Sequence, residues 1–218
     1  MSGRTGEVTA ASIVFIGSFN PKIFHPAWFA SEELLSKEEA KAASDVEVTG
    51  LYAKFELEWA TIEVTQERFS ALSNQAPMFE ALRDLVLGAF RLLRHTPVRA
   101  MGLNWSTYLP VDSDEQSHRL ADKVVPIEFW RSFLEEPKVR SLTIEGVRMD
   151  SYNGYARLRV EPFARRGKSI FVIFNDHFDF SADEEPRAAR RATDVLSEDW
   201  NPSYDRASNA ISAIGAVL

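Results

Sequence analysis

The sequence predicts an α+β fold: a mainly antiparallel sheet with a C-terminal three-strand meander, packed by one central amphipathic helix and by C-terminal helices. Three observations carry this. Several stretches alternate apolar and polar residues with period two, the mark of a strand with one buried and one wet face. The pairs Asn153-Gly154 and Arg166-Gly167 lie between such stretches, where tight hairpin turns form. From Pro77 onward apolar residues recur at helical spacing instead. Helices fall between runs of strands and do not alternate with them one for one, which separates α+β from α/β.

Taken in order, Ser12–Gly17 reads as a short buried strand, and Asn20-Pro21 marks a loop. Phe15, Phe19, Phe24, Trp28 and Phe29 make the next segment aromatic, and Pro21 and Pro26 keep it irregular. Ser36 with Glu39 three residues later is a capping box that opens a helix to about Ser44. Leu51, Ala53, Phe55, Leu57 and Trp59 share one strand face, and at Ala60 the phase flips to Ile62 and Val64, so a bulge or a break into two strands is expected. Pro77 suits the first turn of a helix carrying Leu82, Leu85, Val86, Ala89, Phe90 and Leu93 on one side. Val98–Leu109 follows as a strand, Asp112–Lys123 as a polar connector and Ile127–Leu134 as a short helix. Val139–Met149, Tyr155–Val160 and Ser169–Phe174 form the meander, and the uninterrupted apolar run Ile170–Phe174 is expected to lie centrally with both faces covered. The helical tail starts at Pro186 and is expected to break at Asn201-Pro202.

The chain has 218 residues, of which 45% are hydrophobic and 26% charged, enough for a core without staples. It is expected to form a single domain over residues 1–218, with 12–110 and 124–218 as two packed halves. The absence of cysteine excludes thiol catalysis, zinc ribbons, iron–sulfur clusters and a disulfide framework, and points to the cytoplasm. No secretory leader and no membrane-length apolar stretch is read, so Asn104-Trp105-Ser106 carries no meaning as a glycosylation acceptor. A net charge of −7 argues against a generic nucleic-acid or anionic-membrane binder.

The order of Glu63–Phe69, the helix from Pro77, the strand Arg99-Ala100-Met101-Gly102-Leu103-Asn104, the run Ile173-Phe174-Asn175-Asp176-His177-Phe178 and the helix Asp194–Ala207 resembles a sporadically distributed prokaryotic family of uncharacterised function. The resemblance covers the chain from about residue 60. In that family a glycine-leucine-arginine-tyrosine-asparagine strand and a late aspartate-rich strand end recur in the same order; here the arginine of the first motif is missing, since Leu103 runs directly into Asn104, and the N-terminal entry differs. The resemblance implies an α+β fold and a bacterial or archaeal source, and brings no catalytic residues.

Three groups of residues are candidates for function. Asp176, His177 and Asp179 place an imidazole between carboxylates at a strand end, the materials of an acid/base pair or half of a metal site; with a distant Asp150 or Glu145 they define a metal-assisted hydrolase as the alternative reading. The same period-two geometry puts Asp176 with Phe178 on one side and His177 with Asp179 on the other, which favours an ordinary strand end. Arg157, Arg159, Arg165, Arg166 and Lys168 gather on one hairpin, fit to hold a phosphate backbone or an acidic partner. Phe19, Phe24, Trp28 and Phe29 are the candidate anchors for a protein partner. Gly167-Lys168-Ser169 is not a phosphate loop, because Pro162 stands where the glycine is needed and a strand follows. His25, His95 and His118 stand alone, Glu56 and Glu58 lie on a wet strand face, and Asp112 and Asp114 lack the rest of a calcium loop. With no mechanism-bearing motif, the sequence favours a non-enzymatic binding or assembly subunit of a prokaryotic multiprotein system. It implies no cofactor and no metal, with another protein preferred over nucleic acid as partner.

Overall fold

A computed structural model of the chain describes residues 6–113, 123, 125–162, 169–180 and 188–217. Among them nine strands form one antiparallel sheet: β1 (Ala10–Gly17), β2 (Ser44–Val48), β3 (Tyr52–Glu56), β4 (Thr61–Thr65), β5 (Arg68–Ser73), β6 (Val98–Pro110), β7 (Leu142–Val147), β8 (Gly154–Glu161) and β9 (Ser169–Asp179). Their order across the sheet is β2-β3-β4-β5-β1-β6-β9-β8-β7. The helices are α1 (Pro26–Ser31), α2 (Lys37–Ala42), α3 (Phe79–Leu92), α4 (Ile127–Trp130) and α5 (Ala188–Gly215).

The sheet is therefore not the C-terminal three-strand meander expected from the sequence. β7, β8 and β9 form only one end of it, and β1 joins the rest by pairing with β5 on one side and β6 on the other. Of the N-terminal strands, β2 and β5 escaped the sequence reading; the turn that leads into β5, Gln66-Glu67, has no glycine or proline. Thr65 Oγ1 accepts hydrogen bonds from the amides of Glu67 and Arg68 at 3.3 and 3.1 Å to close the β4–β5 hairpin. Thr49 Oγ1 does the same for Leu51 and Tyr52 ahead of β3. The phase flip at Ala60 is a third hairpin, with the Leu57 amide donating to the Ala60 carbonyl at 2.7 Å. Ser36 and Glu39 do form a capping box, but the helix they open stops at Ala42.

Strand parity sorts the side chains. Ile13 and Phe15 of β1, Phe69 and Ala71 of β5, Met101, Leu103 and Trp105 of β6, and Ile170, Val172, Phe174 and Phe178 of β9 point to one face and are buried. α3 covers β5 and β1 on this face, and α5 packs on α3, β6 and β9. Phe90 of α3 touches Phe15, Phe69, Phe19 and Phe24, with ring centroids 4.7, 4.8, 6.0 and 6.1 Å away. α5 runs unbroken through Pro202, against expectation. Tertiary packing overrides the proline there: Trp105 Nε1 donates to Ser203 Oγ at 2.8 Å, and the Trp105 ring lies against Trp200 and Tyr204 at 4.6 and 5.3 Å. The other face of β9 is not covered, since Phe171, Ile173, Asn175 and His177 are all half-exposed. Among the described residues α3 and α5 lie on the opposite face, and this face holds a concavity that draws on six strands.

Candidate functional site

The open face follows from alternation: odd residues of β8 and β9 and even residues of β1 and β5 point away from the helices and are at most partly buried, polar and apolar alike. Arg68, Val14, Ile16, Gly102, Asn104, Asn175, His177, Tyr155, Arg157 and Arg159 line a hollow of about 510 Å³ there, with Thr143 and Ile173 completing the wall. Its lining holds three arginines and no carboxylate.

Three local arrangements shape the hollow. Gly154 adopts φ +138° and brings the start of β8 close to β9, where any Cβ would lie 1.9 Å from the His177 carbonyl oxygen. Directly after it, Tyr155 stacks on His177 with centroids 4.4 Å apart and planes 13° apart, while the Arg157 guanidinium lies 4.7 Å from the Tyr155 ring. Asn175 Nδ2 donates to Asn104 Oδ1 at 2.7 Å, and Asn104 Nδ2 donates to Ser12 Oγ at 3.1 Å, so an amide chain crosses three strands along the floor. At the rim Arg157 Nε donates to Glu145 at 3.0 Å and Arg159 pairs with Glu161 at 3.4 Å. Arg68 donates to Ser70 Oγ at 3.2 Å and makes no ion pair among the described residues.

Asp176 is separated from His177 and Asp179, which share the other side of β9. His177 faces the hollow, whereas Asp176 faces the helices and is 1% exposed. There Asp176 joins an ionic network that the sequence reading missed. Arg148 Nη1 donates to Asp176 Oδ1 at 2.8 Å, Arg148 also binds Asp150 and Asp199, and Arg206 donates to Asp176 Oδ2 at 2.8 Å and to Asp199. The Arg148 guanidinium sits 3.8 Å from the centre of the Phe178 ring. Burial pushes the Asp199 carboxyl up despite Arg206 and Arg148. For Asp150, burial is outweighed by the Arg148 side chain and the Tyr152 amide, and its pKa falls. Every carboxylate in the network is held by guanidinium hydrogen bonds, so the cluster ties the segment before β8 to β9 and α5. Asp150, one distant carboxylate of the hydrolase alternative, belongs to this network, and Glu145, the other, to the rim. No three His, Asp or Glu side chains are placed to hold a metal among the described residues.

The other candidates separate similarly. Arg157 and Arg159 belong to the hollow; Arg165, Arg166 and Lys168 lie outside the described residues. Phe19, Phe24 and Phe29 are buried in the core and Trp28 packs against it, so these rings join the layer under the helices. His25 caps α1, its Nδ1 accepting from the Ala27 amide at 3.0 Å. No family model and no curated protein matches the chain. No helix among the described residues is long and apolar enough to cross a membrane.

Burial pushes the His177 imidazole below its ordinary 6.5, against the pull of Asp179 on the same strand and Glu145 on β7 and with the help of Arg157 on β8 and of Arg148. The folded protein thus binds this proton more weakly than the unfolded chain does. Its contribution is complete above pH 6.5 and is lost as the pH falls through the lower, folded value. Urea titrations between pH 7 and pH 5 are expected to show falling stability, with a shallower fall in His177→Gln. Equal slopes in the two proteins contradict this.

Proposed function

We propose that this chain is a non-enzymatic binding subunit that holds an anionic partner on the open face of its sheet. The observation that supports the reading is the lining of the hollow, which gathers Arg68, Arg157 and Arg159 without a carboxylate in a chain of net charge −7. Random placement on so acidic a surface disfavours such a cluster, and guanidinium forks match carboxylate and phosphate oxygens. The rim pairs with Glu145 and Glu161 are exposed and weak, so an incoming anion displaces them at little cost. The separation of Asp176 from His177 supports binding over hydrolysis, since these two lie on opposite faces of β9 and leave His177 with only the exposed Asp179 of the β9 carboxylates on its own side.

Anisotropy titration with fluorescein-labelled linear polyphosphate, an anion without rings, tests this reading. Binding is expected to weaken steeply with salt, and Arg68→Glu with Arg159→Glu is expected to lose at least about tenfold in affinity, ~1.4 kcal/mol. Unchanged affinity in the double variant, or no binding at low salt, overturns it.

A further inference from the structure

We propose that the hollow is a nucleotide site, in which a planar heteroaromatic ring lies over Gly102 and extends the Tyr155–His177 stack while its phosphate meets the arginines. This rests on the anion-binding reading and names what the anion carries.

The strand register sets out the geometry. Val14 of β1 faces Gly102 of β6, Gly102 faces His177 of β9, and His177 faces Tyr155 of β8, one row across the open face. Neighbouring strands stand about 4.8 Å apart, which sets the spacing of side chains along the row. The two rings already obey it, at 4.4 Å. Tyr155 covers the imidazole from the β8 side, so the second face of the ring is turned toward β6. There the row has no side chain, because the residue is glycine, and the next one begins at Val14. The place between them is one ring wide.

What surrounds that place selects the ring. Among the described residues a Cβ on Gly102 would meet only the side-chain amide nitrogens of Asn175, at 3.1 Å, and Asn104, at 3.8 Å. Each amide nitrogen carries two hydrogens and gives one to the amide chain, Asn175 to Asn104 and Asn104 to Ser12. One donor on each remains for an acceptor at the edge of the ring. A phenyl ring of an acidic peptide has no acceptor and a phenol only its one hydroxyl oxygen, whereas every nucleobase carries ring nitrogen or carbonyl acceptors along an edge. With three guanidiniums lining the same hollow for phosphate, stacking, edge donors and charge describe one ligand chemistry. A free nucleotide and a single-stranded nucleic acid share it.

Calorimetric titrations of the whole chain with adenosine monophosphate, a ten-nucleotide single-stranded RNA and tripolyphosphate test the proposal. Stacking contributes a factor of about ten or more per base, so a ring-bearing probe is expected to bind at least about tenfold tighter than tripolyphosphate. Gly102→Val, which fills the place of the ring, and His177→Val, which removes the platform, are each expected to abolish that preference, with circular dichroism reporting the fold of both. The monophosphate binding within about threefold of the RNA assigns the site to free nucleotides; RNA binding tighter by tenfold or more assigns it to single strands. Tripolyphosphate binding as tightly as both ring-bearing probes, or the preference surviving in both folded variants, overturns the ring slot and leaves the anion reading standing. Failure of all three probes overturns both.

Discussion

Replacing Arg148 by Ala is expected to lower the unfolding free energy by about 3–5 kcal/mol, the usual cost of removing one partner from a buried ionic network. The Arg148 side chain is 1% exposed and holds Asp150, Asp176 and Asp199 at once. Without it Asp176, as fully buried, and Asp199 keep only Arg206, whose own side chain is 32% exposed. The lost guanidinium also leaves the face of Phe178 without its cation. The network has three carboxylates to two guanidiniums, so Asp199→Asn, which keeps the shape and removes surplus negative charge, is expected to cost far less. Urea unfolding of the three proteins decides it. A loss under about 1 kcal/mol for Arg148→Ala, or equal losses for the two variants, contradicts a structural role for the cluster.

Phe90→Ala is expected to cost about 3–5 kcal/mol, from lost transfer energy and the cavity left behind. Phe90 is fully buried at the centre of a ring cluster fed by β1, β5 and the segment after β1. The neighbours belong to different elements and cannot close over the gap together. Phe171→Ala is expected to cost much less, because Phe171 lies half-exposed on the open face against Tyr108 at 4.9 Å. Parallel denaturant titrations check the ranking, and equal losses would move the core to both sides of the sheet.

The contrast between these phenylalanines shows how far the sequence reaches. Period-two alternation correctly put Asp176 with Phe178 and His177 on the opposite side, and 3.6-residue spacing marked the helix that carries Phe90. Alternation says which residues share a face of one strand, but not which strand lies beside it. Register is set by turns and by long-range pairing, so the row Val14, Gly102, His177 and Tyr155 was not legible, although Asn175 and His177 stood inside a noticed run. Arg148 gave the same difficulty, since a buried arginine and an exposed one look alike in sequence until partners arrive from β9 and α5. The aromatic segment from Phe19 to Phe29 was legible as apolar, yet only the fold shows that α3 and β5 enclose it.

Anion binding at the open face is most directly tested by a two-dimensional ¹⁵N–¹H NMR titration with linear polyphosphate. The reading predicts that the Gly102 amide, the side-chain amides of Asn104 and Asn175 and the guanidinium signals of Arg68, Arg157 and Arg159 shift together along one binding curve, while amides of α3 and α5 stay in place. Shifts confined to the helices or to the Phe129–Leu134 segment, with those six residues unmoved, would contradict it.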